Sequence, residues 1–209
     1  MIISLATDWG AALDAAAGAV ARGECIVLPT DTIYGIGADA TEPAAVQRLL
    51  DAKRRGRDMP PPVLLADVAL LDDVAVRIPE AARALAQAFW PGALTLILPA
   101  RLPLDLGDRP ETIAVRVPAH DGARALLRAT GLLAVSSANI SAHPPATTVQ
   151  QAFDMLGDTV AVYLDDGPTP GDAPSTIVDL SMPGGPGRVV RQGVIPVEAL
   201  REIAGDIGA

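Results

Sequence analysis

Short apolar runs alternate with longer Ala- and Leu-rich segments along most of the chain. The short runs have strand length, and the longer segments repeat apolar residues at helical spacing. This alternation predicts an α/β fold. Strands are predicted at 25–28, 63–66, 94–98, 112–117, 132–135, 160–164, 175–180 and 188–191, and helices at 9–22, 43–55, 79–89, 120–129, 149–156 and 197–204.

The last three predicted strands, 160–164, 175–180 and 188–191, have only loops between them. Strands joined without a crossover helix pair antiparallel, so we expect the sheet to be mixed. The Pro- and Gly-rich stretches are too short to be domain linkers. We therefore expect one domain over 1–209, with a core over about 5–195 and a C-terminal segment that carries the last helix.

The composition of the chain excludes several classes of function. The chain carries a net charge of −9, and aromatic residues make up only 3% of it, which argues against a protein whose main task is to grip a nucleic-acid backbone. A basic patch on such an acidic body suits a small anionic ligand. Cys25 is the only cysteine, so no disulfide framework or Cys-rich zinc site is expected. Neither a signal peptide nor a membrane-spanning run is visible, and we expect a cytoplasmic protein.

Polar residues follow two of the predicted strands directly. Segment 29–37 combines Thr30, Asp31 and Thr32 with glycines, and segment 135–141 combines small hydroxyl residues with Asn139. Ligands bind at the carboxyl ends of strands in α/β folds, which favours a binding site here. A hydrogen-bonded turn for the first segment and a helix N-cap for the second remain equally ordinary interpretations.

Lys53 stands in the densest cationic cluster, 53–57, and is the only lysine among sixteen basic residues. A compact ammonium suits a phosphate oxygen, whereas a charge favourable to the end of a helix is the simpler interpretation. Two further candidates are Asp165-Asp166, as Mg²⁺ ligands or a turn, and Ser175-Thr176 with Arg191. The chain has no phosphate-binding loop of the Walker type and no dinucleotide fingerprint.

Seven segments in order resemble the YrdC family of threonylcarbamoyl-adenylate synthases, and they span nearly the whole chain. They are PTDTIYGIGADA (29–40), AKRRGRDMP (52–60), FWPGALTLIL (89–98), TIAVRVPAH (112–120), SSANIS (136–141), PSTIVDL (174–180) and VVRQG (189–193).

The resemblance implies a YrdC-like twisted mixed parallel/antiparallel sheet flanked by helices, with one large concave active site. It implies that L-threonine, bicarbonate or CO₂ and ATP give threonylcarbamoyl-AMP and pyrophosphate, the first step of threonylcarbamoyladenosine formation in tRNA. Mg²⁺ would accompany ATP, and the product would pass to a separate tRNA transferase complex, with weak or no direct tRNA binding. We expect no extra C-terminal domain of the kind that the family's longer branch carries.

The family's site residues carry over position by position. Lys53 and Arg55 match its Lys-x-Arg pair, which would hold phosphate oxygens and act in catalysis. The positions expected at threonine are Thr32, Ser175 and Arg116. Those expected at ATP are, besides the Lys-x-Arg pair, Ser137, Asn139 and Arg191. The metal ligands are not identified.

Three positions depart from the family pattern. Met59 stands where many members carry Lys or Asn, and Arg57 is the nearby residue that can substitute for the missing contact. Leu64 replaces a His of some longer members, and His143 stands where some have Arg. Two other functions remain open: an RNA-binding or ribosome-maturation module of the same fold, and a carbamoyl-adenylate-forming domain.

Overall fold

One mixed sheet runs through the protein from end to end. The computed structural model describes residues 1–101, 103–182 and 184–208, and eleven strands of this part form the sheet in the order β1-β8-β2-β3-β7-β4-β6-β5-β9-β10-β11. The strands are β1 Ile2–Ser4, β2 Ile26–Leu28, β3 Gly35–Asp39, β4 Val63–Leu64, β5 Leu94–Pro99, β6 Thr112–Arg116, β7 Leu133–Ser137, β8 Val162–Asp165, β9 Thr176–Asp179, β10 Gly187–Arg191 and β11 Ile207–Gly208.

Helices connect most of the strands. They are α1 Trp9–Ala21, α2 Pro43–Ala52, α3 Leu71–Val74, α4 Glu80–Phe89, α5 Asp121–Thr130, α6 Val149–Leu156 and α7 Val197–Ala204. Every helix predicted from the sequence is present, with small differences at the ends. Among the described residues, no helix is both long and apolar enough to cross a bilayer.

The prediction of a mixed sheet is confirmed. β2 pairs antiparallel with β3 and parallel with β8, while β5 pairs antiparallel with β6 and parallel with β9. The predicted antiparallel run of the last three strands is only half right. β9 and β10 pair antiparallel, but β8 lies between β1 and β2, because the long 166–175 connection carries the chain across the sheet to β5.

Each face of the sheet packs against its own helices. Alternate residues of a strand point to opposite faces, and in β2 Val27 belongs to one core while Ile26 and Leu28 belong to the other. The first core takes its helical residues from α2, α3, α4, α6 and α7. The second core takes them from α1 and α5.

Helices α1 and α5 do not cover the whole of their side of the sheet, and the part formed by β6, β5 and β9 stays open. Leu94, Leu96 and Leu98 of β5 point into the opposite core, whereas Thr95 and Ile97 line an open cavity. The same alternation in β6 places Ala114 and Arg116 in the cavity and Ile113 and Val115 in the core. The expected concave site is therefore a stretch of sheet face that no helix covers.

Strand β3 replaces the second half of the segment that we interpreted as a ligand loop, 29–37. A Cβ on Gly35 would lie 2.6 Å from a methyl of Val135, and one on Gly37 would lie 3.2 Å from a methyl of Leu28. These glycines therefore serve close packing between strands, and their low strand propensity hides β3 in the sequence.

The chain after α7 also differs from the prediction. Gly205 has a φ of +71° and ends the helix, and β11 then adds an edge strand parallel to β10. Ala209, the end of the predicted C-terminal segment, lies outside the described residues.

We expect Gly193→Ala to destabilise the protein, because a Cβ there would overlap the carbonyl oxygen of Pro174 and the backbone of Ser175. Steric overlap with backbone atoms costs about 1–3 kcal/mol or more. Gly171 has nothing within 4 Å of the same added atom, so Gly171→Ala is the matched control. Urea unfolding of the three proteins measures the difference, and equal midpoints for both variants would contradict it.

Candidate active site

The cavity over the uncovered sheet face has a volume of about 550 Å³, within the range of small-molecule sites. Side chains from the turn after β2, the segment after α2, the floor strands and the loop after β7 line it. Seven of the eight residues that the sequence assigns to the site are in this lining, namely Thr32, Arg55, Arg116, Ser137, Asn139, Ser175 and Arg191.

Lys53 is the eighth, and it lies beneath the cavity wall instead of in it. Its side chain is only 2% exposed, and its ammonium donates to the carbonyl oxygens of Ser137 (2.5 Å) and Asn139 (2.8 Å) and to Asn139 Oδ1 (3.1 Å). An ammonium has three protons, so all of them are used within the protein. This geometry does not offer Lys53 to a phosphate, and it gives the residue the task of holding the loop after β7.

Asn139 completes the same arrangement. Its side-chain nitrogen donates to the carbonyl oxygens of Ile140 (3.1 Å) and His143 (2.6 Å). The backbone closes the contact, since the N–H of Ser141 donates to the carbonyl oxygen of Lys53. The amide protons of Asn139 are therefore used within the loop. A ligand can contact this residue only where it lines the cavity.

Arg55 follows the end of α2 and reaches the cavity from the opposite side of this loop. Its Nη1 donates to Ser136 Oγ at 2.9 Å, while its Nε is buried and has no partner among the described residues. Burial lowers the pKa of this guanidinium, which Asp58 partly opposes. A buried donor without an acceptor is costly. Arg55 also lines the cavity, where its guanidinium can bind an anionic ligand.

Arg116 closes the floor of the cavity at the end of β6. Its Nε donates to the carbonyl oxygen of Gly92 (2.9 Å), its Nη1 to Thr32 Oγ1 (2.9 Å) and its Nη2 to Asp31 Oδ1 (2.6 Å). The residue is 6% exposed, and burial lowers the pKa of the guanidinium, against the attraction of Asp31. The turn after β2 is thereby attached to the sheet.

Ser175 and Arg191 meet on the far side of the floor. Arg191 donates to the carbonyl oxygen of Ser175 from Nη2 (2.8 Å) and Nε (3.2 Å). The hydroxyl of Ser175 lies 2.8 Å from that of Thr95, a buried neighbour that also lines the cavity. Two hydroxyls are therefore available beside a guanidinium that faces the cavity.

Positive charge dominates this cavity in an otherwise acidic protein. Arg55, Arg109, Arg116 and Arg191 line it, and Asp58 is the carboxylate in the same lining. Burial first, and then the charges of Arg116 and Arg55, lower the pKa of Arg191. The guanidinium groups repel one another, and an anion bound between them relieves that repulsion.

The positions that depart from the family pattern also lie here. Met59, Leu64 and His143 all line the cavity. Arg57 does not substitute for a polar residue at position 59, because its guanidinium is paired with Asp105 and Asp108 outside the lining.

The Asp165-Asp166 candidate is a turn. The carboxylate of Asp165 accepts from the N–H of Gly167 at 3.0 Å, and that of Asp166 lies 3.1 Å from His120 Nε2. Across residues 1–101, 103–182 and 184–208, no group of three or more His, Cys, Asp or Glu side chains has the arrangement of a metal site.

Comparison with known proteins decides the family. A family model described as "Telomere recombination", with the short name Sua5/YciO/YrdC, matches residues 18–193. A relative from Mycobacterium tuberculosis is 50% identical over 192 residues, which are 91% of this chain and 88% of that protein. The chain belongs to the Sua5/YciO/YrdC family.

Two other members of the Sua5/YciO/YrdC family also match nearly the whole chain. A Bacillus subtilis protein named threonylcarbamoyl-AMP synthase is 39% identical over 92% of this chain and 56% of its own length. A structure of Pyrococcus abyssi Sua5 complexed with L-threonine superimposes with a TM-score of 0.90 at 33% identity, and it covers 100% of this chain and 62% of that one. This agreement confirms the fold that the resemblance implies.

Sequence reasoning missed Thr95 in this site, and it assigned no individual role to Thr30 or Ser136 within the two polar segments. Each lines the cavity and holds an assigned residue: Thr30 contacts Thr32, Thr95 contacts Ser175, and Ser136 contacts Arg55. Thr95 carries a usable signal, because it is a polar residue at an alternate position in an otherwise apolar strand.

We predict that Lys53 makes stability depend on pH. Burial, and then the charge of Arg55, lower the pKa of Lys53 from 10.5 to about 7. Between these values the unfolded chain binds more protons than the folded protein, so the free energy of unfolding rises with pH by at most about 1.4 kcal/mol per unit.

Lys53→Met removes this titration. The difference in unfolding free energy between wild type and Lys53→Met should therefore rise as pH increases above about 7. Urea titrations across this range measure it. A difference that stays constant would mean that the buried ammonium keeps its ordinary pKa.

Proposed function

We propose that this protein is an L-threonylcarbamoyladenylate synthase, a nucleotidyltransferase. The observation that carries the proposal is the concave cavity, in which the guanidinium groups of four arginines lie among small hydroxyl side chains. They belong to Arg55, Arg109, Arg116 and Arg191. Guanidinium groups recognise carboxylates and phosphates, and hydroxyls recognise small polar substrates. The family's named synthases favour this function over an RNA-binding module or a carbamoyl-adenylate-forming domain.

The reaction proceeds in two parts. With CO₂, the ammonium group of L-threonine loses two protons and its nitrogen bonds to the carbon, which gives a carbamate. With bicarbonate, one proton and one water molecule leave instead. An oxygen of the carbamate then attacks the α-phosphorus of ATP, the bond to the β-phosphate breaks, and threonylcarbamoyl-AMP and pyrophosphate result. Such transfer depends mainly on positioning and on neutralising the phosphate charges.

The side chains that line the cavity are divided between the two substrates. Thr32, Arg116 and the Thr95–Ser175 hydroxyl pair lie on the floor, and they bind L-threonine, with Arg116 directed to its carboxylate. Arg55 and Arg191 both line the cavity, and their guanidinium groups take the triphosphate. The loop held by Lys53 presents Ser137 and Asn139 along the nucleotide.

Mg²⁺ enters with ATP. The described residues provide no cluster of metal-binding side chains, and Mg²⁺ commonly keeps several waters and takes its remaining ligands from substrate phosphates. The ion supplies charge neutralisation on the triphosphate, and the arginines of the cavity orient the same phosphates from the protein side.

The product is a labile acyl-adenylate, so it passes to a separate tRNA threonylcarbamoyl-transferase complex in the cytoplasm. Direct binding of tRNA is weak, because a chain with a net charge of −9 repels a polyanion outside its own small cavity. A tRNA affinity in the submicromolar range at physiological salt would favour the RNA-binding module instead.

We predict strong discrimination at the threonine side chain. A site whose hydroxyls bind a substrate hydroxyl rejects an analogue that lacks it by up to about 10⁴-fold, whereas loss of one methyl group costs about 10- to 200-fold. Pyrophosphate release with threonine, serine and 2-aminobutyrate should fall in that order. Equal rates with threonine and 2-aminobutyrate would contradict the assignment of Thr32 and Ser175.

We also predict that Arg55→Met weakens adenylation, since it removes a charge-assisted hydrogen bond worth about 1.5–3 kcal/mol. That loss corresponds to about 10- to 150-fold in kcat/KM for ATP. Arg22 is paired with Glu24 on the surface, so Arg22→Met is the matched control and should keep wild-type activity. Wild-type kinetics in Arg55→Met would remove Arg55 from the site.

A further inference from the structure

The two threonines of the turn after β2 share a hydrogen bond whose direction follows from their other partners. Thr30 Oγ1 lies 2.7 Å from the carbonyl oxygen of Ile33, and a carbonyl only accepts. The single hydroxyl proton of Thr30 is therefore used there. In the 3.0 Å contact between the two hydroxyls, Thr30 must accept and Thr32 must donate.

The hydroxyl of Thr32 can only accept a hydrogen bond from a group in the cavity. Its proton points at Thr30, and one of its two lone pairs accepts from Arg116 Nη1 at 2.9 Å. The other lone pair has no donor among the described residues. The side chain is 2% exposed, yet it lines the cavity. A ligand group that contacts this lone pair of Thr32 must therefore be a hydrogen-bond donor.

The charges around Thr32 restrict that donor further. The guanidinium of Arg116 is already within hydrogen-bond distance, and Arg191 is close enough for the charge of Arg116 to lower its pKa. A second cation at this point would be repelled. A carboxylate would bring only lone pairs. A neutral donor such as an alcohol hydroxyl is the group that satisfies both conditions.

We propose that Thr30 is a positioning residue that fixes the polarity of Thr32, so that Thr32 accepts a hydrogen bond from the hydroxyl of the amino-acid substrate. The assignment rests on the proposed function, in which that substrate is L-threonine. Selectivity then depends on the direction of the hydrogen bond as well as on its presence. An amino acid with an ether oxygen in place of the hydroxyl is rejected, because two acceptors face each other.

The experiment compares L-threonine with O-methyl-L-threonine in wild type, Thr30→Val and Thr30→Ser. Valine keeps the shape of threonine but cannot accept from Thr32, so the proton of Thr32 becomes free to donate into the cavity. We expect KM for threonine to rise about 3- to 10-fold and the preference for threonine over its methyl ether to narrow about tenfold. Thr30→Ser keeps the acceptor and should keep the wild-type preference.

The preference is a ratio measured on one preparation, so a lower folded fraction in Thr30→Val cancels out of it. An unchanged preference in Thr30→Val, or equal use of both amino acids by wild type, would overturn the proposal. Failure of the proposed function is recognised separately, because wild type would then release no pyrophosphate with threonine, and the polarity assignment would fall with it.

Discussion

The buried charge of Arg116 is the interaction on which the rest of the site depends. A charge at this depth is stable only when it is paired and hydrogen-bonded, and Asp31, Thr32 and Gly92 supply the acceptors. These partners come from two separate segments of the chain. Asp31 also accepts from the N–H of Ala119, which ties in the segment after β6. One guanidinium thus fixes the positions of three segments around the cavity floor.

Lys53 organises the opposite wall by the same principle. Its ammonium is surrounded by oxygens of the loop after β7, while the neighbouring Arg55 is the cation that reaches the cavity. Lys at position 53 and Arg at position 55 therefore have two different tasks. The compact ammonium fits beneath the loop and holds it, and the longer planar guanidinium presents its donors to a ligand.

Much of the fold could be predicted because apolar periodicity records burial directly, as in β5, where every second residue is a leucine. Strand β3 could not, because its glycines are explained only by the strands packed against them. In the site, the assigned residues were found through their motif, but the burial of Lys53 was not. Its role depends on carbonyl oxygens from Ser137 and Asn139, which are distant in sequence and carry no side-chain signal.

The cavity is built around guanidinium groups that need a polyphosphate ligand. Calorimetric titration with adenosine, AMP, ADP and ATP, each nucleotide with Mg²⁺, tests this requirement most directly. Affinity should rise with each added phosphate, and added salt should weaken the binding of ATP more than that of adenosine. Adenosine binding as tightly as ATP, at low and at high salt alike, would contradict the account, because the arginines would then contribute nothing to recognition.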